Sequence, residues 1–346
     1  MSDTGTLPVV RLRPKANARR IRHGYPWVWS DELALDRRTK ALAPGALALL
    51  EDNERNPMGV VGLNPGSKIV ARILDRDPHA KMDRERFFHR LSSAATVRET
   101  IYETPFWRWI HAEADGLQGV IIDRFGDTAV IQPNAAWADA RLTELANAVV
   151  DAGVPNVVIN KSGRARALEG LGDGLDVAHG AVSGPIEVPI NGAIYMADVM
   201  GGQKTGLFFD QRPNHAFAAR FAAGQDVLDL FSHVGGFGLA ALGAGAQSAL
   251  LVDASAPALD LARQGAERMG SAARLETSCG DAFETLARLT AEGRTFGVVI
   301  SDPPAFAPNK NALNAGLRAY ERAARMAAGR VAPGGTLVLC SCSHAA

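Results

Sequence analysis

Apolar positions along the chain change their spacing twice. From residue 9 to about 76 they come in short strand-like runs, at 9–14, 46–52, 59–64 and 68–74. Turn dipeptides at Pro44-Gly45, Asn56-Pro57 and Pro65-Gly66 separate them. Residues 77–100 then carry helical spacing. Strands at 107–116, 119–126 and 128–134 follow, then an amphipathic helix over 135–153 ended by Gly153, and a strand at 156–160. Near residue 185 the rhythm shifts again. A hairpin is predicted from 186–190 and 193–199 around Asn191-Gly192, a dipeptide suited to the positive φ of a tight turn. Beyond it, strands rich in Val, Leu and Ile at 227–231, 249–254, 274–281, 296–302 and 335–343 alternate with helices, among them 256–270 and 313–331.

Strands buried on both faces and alternating with helices build a doubly wound parallel sheet. The expected architecture is α/β in three parts: a β-rich domain over 1–76, a central α+β domain over 77–184, and a Rossmann-like sheet over 185–346. A chain of 346 residues exceeds the roughly 250–300 at which single cores stop growing. The last sheet stops after its fifth strand, where sheets of this type continue with a helix and two more strands, so this domain reads as C-terminally incomplete.

Lys and Arg (37) balance Asp and Glu (37), which argues against a protein that coats nucleic acid over its whole surface. The first forty residues are uneven, with nine basic side chains against four acidic ones. Within them runs a basic, aromatic stretch in which Arg19, Arg20 and Arg22 are suited to phosphates, and Tyr25 and Trp27 to stacking on bases. The competing assignment puts Trp27 or Trp29 in the small core. No apolar run reaches the roughly 18 residues of a membrane span, and the N-terminus lacks a signal-peptide core. Cys279, Cys340 and Cys342 do not make a disulfide framework, so a cytoplasmic setting is expected. No metal site is expected, and a homodimer is left open.

Ligands of doubly wound sheets bind at the carboxyl ends of the strands. The first strand leads through Asp229 and Phe231 into Gly235, Gly236 and Gly238, glycines that permit close backbone approach and a turn into helix. Their spacing is not the dinucleotide fingerprint, which sets a nicotinamide dehydrogenase aside. Asp229 would repel a pyrophosphate but suits the cationic S-adenosylmethionine. Asp253, ending the second strand, is placed for ribose hydroxyls, and Asp281, ending the third, for an adenine amino group. The fourth strand runs into Asp302-Pro303-Pro304, a stiff loop that presents Asp302 beside the methyl donor.

These residues, together with 23–30, 114–126, 202–206, 209–212 and Ser341-Cys342-Ser343, resemble the 23S rRNA cytosine-5 methyltransferases that carry an N-terminal PUA domain. The likeness covers nearly the whole chain. It implies a PUA domain, a central domain and a class I methyltransferase domain acting on rRNA, free or partly assembled, with no membrane partner. By the same resemblance Lys204 and Gln211 help close the cofactor pocket, although Lys204 read by itself is equally a surface lysine.

Carbon 5 of cytosine becomes nucleophilic once a thiolate adds to carbon 6. Cys342, at the end of the fifth strand, is the candidate nucleophile, with Asp302 bonding the base near N3. The general base is left between Asp302 and a water. Cys340, two residues earlier in an extended strand, is expected to point the same way but deeper, as core packing, and Cys279 is expected to be structural. Two other readings stand: methylation of a guanine or adenine nitrogen, which needs no thiol, and a non-catalytic RNA-binding assembly factor.

Overall fold

The computed structural model describes residues 7–201 and 206–343, and the chain divides into two compact units, Met1–Ser183 and Gly184–Ala346. The first unit opens with β1 (Val9–Arg11), α1 (Ala18–Arg22), β2 (Trp27–Trp29), α2 (Arg37–Lys40), β3 (Leu47–Glu51), β4 (Pro57–Leu63) and β5 (Ile69–Asp75). Their sheet runs β1-β3-β4-β5-β2. Strand β2 lies within the basic, aromatic stretch, where no strand was expected, and pairs antiparallel with β5. Val28 is fully buried in the core, while Trp27 and Trp29 are half-buried on the opposite face. Neither tryptophan is a core residue, because strand alternation gives the inward position to Val28.

The same unit continues with α3 (Arg84–Glu99), β6 (Phe106–His111), β7 (Val120–Phe125), β8 (Thr128–Pro133), α4 (Ala136–Asp139), α5 (Leu142–Asp151), β9 (Asn156–Asn160), α6 (Arg164–Leu168) and β10 (Leu175–His179). The second sheet runs β10-β9-β8-β7-β6. Three expectations change here. The first helix begins only at Arg84, where Asp83 caps it by accepting from the Arg86 amide. The strand expected over 107–116 stops at His111, because Asp115 accepts the His111 amide (2.6 Å) and a 3₁₀ turn follows, closed by left-handed Gly116. The helix expected over 135–153 breaks at Ala140–Arg141. There Arg141 Nη1 donates to the Gly45 carbonyl (3.0 Å), and Trp137 packs so tightly on Gly62 that a Cβ at Gly62 would lie 2.5 Å from it. The break lets α4 dock on the first sheet while α5 packs against α3.

One buried carboxylate ties the two sheets. Glu169, 7 % exposed, accepts from Arg72 Nη1 (2.9 Å), Ser67 Oγ (2.9 Å) and Asn64 Nδ2 (3.0 Å), all on or beside the first sheet.

The second unit begins with the hairpin β11 (Ile186–Ile190) and β12 (Ala193–Ala197). Asn191 (φ 55°) and Gly192 (φ 70°) form the two-residue turn foreseen for that dipeptide. Then come α7 (Arg212–Ala219), β13 (Asp226–Leu230), α8 (Gly236–Gly243), β14 (Ser248–Asp253), α9 (Ala256–Arg268), β15 (Leu275–Cys279), α10 (Ala282–Ala291), β16 (Phe296–Ser301), α11 (Leu313–Ala328) and β17 (Val331–Leu339). The sheet is parallel throughout, in the order β15-β14-β13-β16-β17. Strand order reverses between β13 and β16, which opens a crevice at their carboxyl ends. Strand β17 ends at Leu339, four residues short of expectation, so Cys340 to Ser343 form a loop rather than a strand end.

Glu169→Ala leaves Arg72 buried without its counter-ion and Asn64 and Ser67 without their acceptor. It is expected to lower the unfolding free energy by about 3–5 kcal/mol, read as a fall in urea midpoint at unchanged m.

Candidate active site

The crevice is organised by the turn after β13. Phe231 (φ 63°) and His233 (φ 50°) both occupy the left-handed region, which costs a non-glycine residue of order 1–3 kcal/mol. The strained turn is held by neighbouring strand β14: the Ser232 amide donates to the Val252 carbonyl (3.0 Å), and the His233 amide to Asp253 Oδ2 (2.8 Å). Asp253 Oδ1 accepts the Ser255 amide (2.8 Å). Asp253 therefore shapes the first loop, a role the sequence did not disclose.

Asp229 lies inside β13 and is fully buried. Its Oδ2 accepts the Gly238 amide at the start of α8 (2.8 Å), while its Oδ1 has no hydrogen-bond partner among the described residues. Burial, and then the like charges of Asp302 and Asp253, push its pKa up to about 8. Three of the expected carboxylates are thus close enough to repel one another. Asp281 also has a structural role that the sequence did not disclose: its Oδ1 caps α10, accepting from the Phe283 (2.9 Å) and Glu284 (3.0 Å) amides.

The glycines serve helix packing. A Cβ at Gly238 would lie 2.4 Å from Leu251, one at Gly235 2.8 Å from Leu251, and one at Gly236 2.6 Å from the His215 ring. Their absence of side chains lets α8 sit down on β14 and α7, which aims its first amides at Asp229.

Aromatic rings line the other wall. Phe306 meets Phe231 edge-on (6.3 Å between centroids), Phe283 (6.3 Å) and Tyr320 (4.9 Å). Tyr320 and Ser343, neither given a role from sequence, join the loop after β17 to the Asp-Pro-Pro loop. Their hydroxyls share a hydrogen bond (2.7 Å), Ser343 Oγ accepts the Ala307 amide (3.1 Å), and Tyr320 Oη accepts the Phe306 amide (3.4 Å).

That clamp positions the two cysteines unequally. Cys342 is exposed, with its Sγ 4.0 Å from the Pro303 carbonyl. Cys340 is half-buried beside Ser301, whose carbonyl accepts its amide (2.9 Å), and is not a core residue. Burial, then the charges of Asp302 and Asp229, push its thiol up to about 12. Cys279, expected to be structural, is exposed at the end of β15.

Gln211 stands at the start of α7 and accepts from Asn214 (2.7 Å). Lys204 lies outside the described residues. In the first unit, Arg20 pairs with Glu32 (2.7 Å) and covers the Tyr25 ring (3.9 Å), Arg22 pairs with Asp52, and Trp27 Nε1 donates to Glu113 (2.8 Å). Of the five residues suited to RNA, four therefore have intramolecular partners, Tyr25 also accepting from Trp29 Nε1 (3.2 Å); Arg19 is exposed.

Residues 10–76 match the PUA-like domain family, and residues 176–346 match the S-adenosylmethionine-dependent methyltransferase family. The ribosomal RNA large subunit methyltransferase I of Vibrio cholerae serotype O1 is 34 % identical over 98 % of this chain and 86 % of its own. That of Cronobacter sakazakii is 32 % identical over 97 % and 85 %. The chain belongs to the ribosomal RNA large subunit methyltransferase I family. A solved S-adenosylmethionine-dependent methyltransferase from Streptococcus mutans superposes with a TM-score of 0.77 over 96 % of this chain and 85 % of its own, at 18 % identity. A methyltransferase solved with SAH gives 0.77 over 96 % and 84 %, at 20 % identity. At such identities these two speak for the fold.

The cofactor of this methyltransferase family member is S-adenosylmethionine. The residues present fit it: a buried carboxylate oxygen without a partner, in a cluster of like charges, is stabilised by a cationic ligand.

Because the folded-state pKa of Asp229 is raised, its contribution to stability is complete below the ordinary carboxylate pKa and is lost as pH climbs through about 8. Asp229→Asn is expected to melt with the wild type near pH 4 and above it at pH 8. It is expected to bind S-adenosylmethionine at least about tenfold more weakly, the loss of one charged contact. Scanning fluorimetry and calorimetry across pH check both.

Proposed function

We propose that the protein is a 23S rRNA cytosine-5 methyltransferase of the cytoplasm, with Cys342 as its nucleophile. Residues 1–76 serve as the RNA-binding domain, 77–184 as the central domain and 185–346 as the catalytic domain. The reading is supported above all by the clamp of Tyr320 and Ser343, which holds an exposed thiol against the Asp-Pro-Pro loop. S-adenosylmethionine, when bound, supplies an electrophilic methyl group. Asp229 and Asp253, with the Phe231–Gly235 turn, would hold it.

The chain's own part is to activate the base. The Cys342 thiolate forms a bond to carbon 6 of cytosine, and the ring electrons move to carbon 5, which takes the methyl group. Asp302 bonds the ring near N3 and steadies the charge of the adduct. Loss of the carbon 5 proton, to Asp302 or a water, expels the thiolate and restores the aromatic ring. Cys340 is unsuited to this role, since two nearby carboxylates and burial oppose its ionisation. The base must leave its stack to reach the thiol, so single-stranded or opened rRNA is the substrate.

RNA carrying 5-fluorocytosine at the target position is expected to trap a covalent complex with the wild type and with Cys340→Ala, and none with Cys342→Ala. Methyl transfer should fall on the order of 10³-fold in Cys342→Ala. Full activity of Cys342→Ala would instead indicate methylation of a ring or exocyclic nitrogen. RNA binding without transfer by the wild type would indicate an assembly factor.

A further inference from the structure

The target base has to enter an acidic crevice, and the strand that carries it is acidic too. Asp302 and Asp253 lie close enough to Asp229 to raise its pKa. Phosphates flanking the base are therefore repelled from the crevice itself and need cations at its rim. The segment that follows the Asp-Pro-Pro loop supplies them. From Pro303 to Tyr320 the chain carries Lys310 and Arg318 and no acid. Arg322 stands one turn beyond Arg318, and all three residues are exposed.

These cations are held differently from others of the second unit. Arg268, Arg288, Arg294 and Arg325 each face a carboxylate. Lys310, Arg318 and Arg322 form no ion pair among the described residues. Arg318 and Arg322 are four residues apart on α11, about 6 Å along its axis, where like charges repel and weaken the helix. A helix face built only for solvent relieves such repulsion with an acid at the same spacing. Glu321, the one acid of α11, is instead bound to Arg325.

The cationic side of α11 is also tied to the catalytic loops. The Arg322 guanidinium lies over the Phe283 ring (4.6 Å to its centroid), Phe283 packs on Phe306 (6.3 Å), and Phe306 meets Tyr320 of the same helix (4.9 Å). The Tyr320 hydroxyl shares its hydrogen bond with Ser343, next to Cys342. Stacking uses the flat face of the guanidinium and leaves its N–H edge for a phosphate. A strand lying along these cations is thereby led to the thiol.

We propose that Lys310, Arg318 and Arg322 hold the phosphates flanking the target cytosine while its base turns into the crevice. The proposal rests on the rRNA reading above. Cations at regular spacing beside the half-buried rings of Phe283 and Phe306 suit a nucleic-acid strand, whose phosphates and unstacked bases use both.

Filter binding of deproteinised 23S rRNA to the full chain, between about 50 and 200 mM salt, tests it. In Lys310→Gln/Arg318→Gln the slope of log affinity on log salt is expected to fall by about 1.4, at about 0.7 for each lost contact to a single strand. Affinity near 150 mM salt should drop on the order of tenfold. The KM for rRNA should rise with kcat unchanged, while S-adenosylmethionine binding and the melting temperature stay at wild-type values. Arg325→Gln, exposed on the same helix but drawn from an ion pair, should leave the slope unchanged. Should the double variant not fold, Arg318→Glu alone must still lower the slope. An unchanged slope in the double variant overturns the proposal and leaves an acidic protein as the occupant of this face. An equal fall in Arg325→Gln overturns it as well, because bulk charge would then account for the effect. Either result in a protein that still methylates rRNA leaves the proposed function standing. A wild type whose binding follows these cations but which transfers no methyl group overturns the function and leaves the surface.

Discussion

A carboxylate buried without a full set of partners is costly, and the catalytic unit is built around one. Asp229 sits in the middle strand of a parallel sheet, with one oxygen on the Gly238 amide and the other without a hydrogen-bond partner among the described residues. Two further acids, Asp253 and Asp302, raise its proton affinity instead of relieving it. Nothing in the packing of a sheet requires this, because an apolar residue at the same position would be quieter. The arrangement is intelligible as a site whose electrostatics are completed from outside.

The second constraint is mechanical. Five loops leave the sheet at its carboxyl edge, and two hydroxyls, those of Tyr320 and Ser343, tie the last of them to the Asp-Pro-Pro loop. This separates two cysteines that are near neighbours in sequence. Cys340 is turned toward the acids, where a thiolate is disfavoured, while Cys342 reaches solvent above Pro303. Their chemistry differs because the strand stops at Leu339; had it continued, alternation would have put both on one face.

What the residues disclosed by themselves follows the range of the interactions. The hairpin at Asn191-Gly192 and the strands and helices that follow it depend on neighbours a few positions away, and a single dipeptide or periodicity reveals them. The break between α4 and α5 does not, because its cause is Gly45, 96 residues from Arg141. The Glu169 network spans 105 residues to Asn64 and carries no local signature. At the site, Asp229, Asp253 and Asp302 were legible as strand-end acids, but the use of Asp281 as a cap and of Asp253 as a loop brace was not. A capping aspartate and a ligand-binding one look alike until the amides they accept from are known.

Charge behaves in the same way. The excess of arginine near the N-terminus suggests a surface that attracts phosphate by bulk electrostatics, yet Arg11, Arg20 and Arg22 each face a carboxylate of their own unit. Arg72, Arg86, Arg98 and Arg108 are likewise paired. Cations held in such pairs release few counter-ions when RNA arrives, so they add little to the salt-dependent part of binding. What is left for recognition is the exposed basic residues outside such pairs, Arg19 among them, together with polar groups that have a fixed direction. A protein of zero formal net charge that must find one segment of a large RNA is better served by this than by a uniform basic face, because fixed acceptors discriminate between bases and diffuse charge does not.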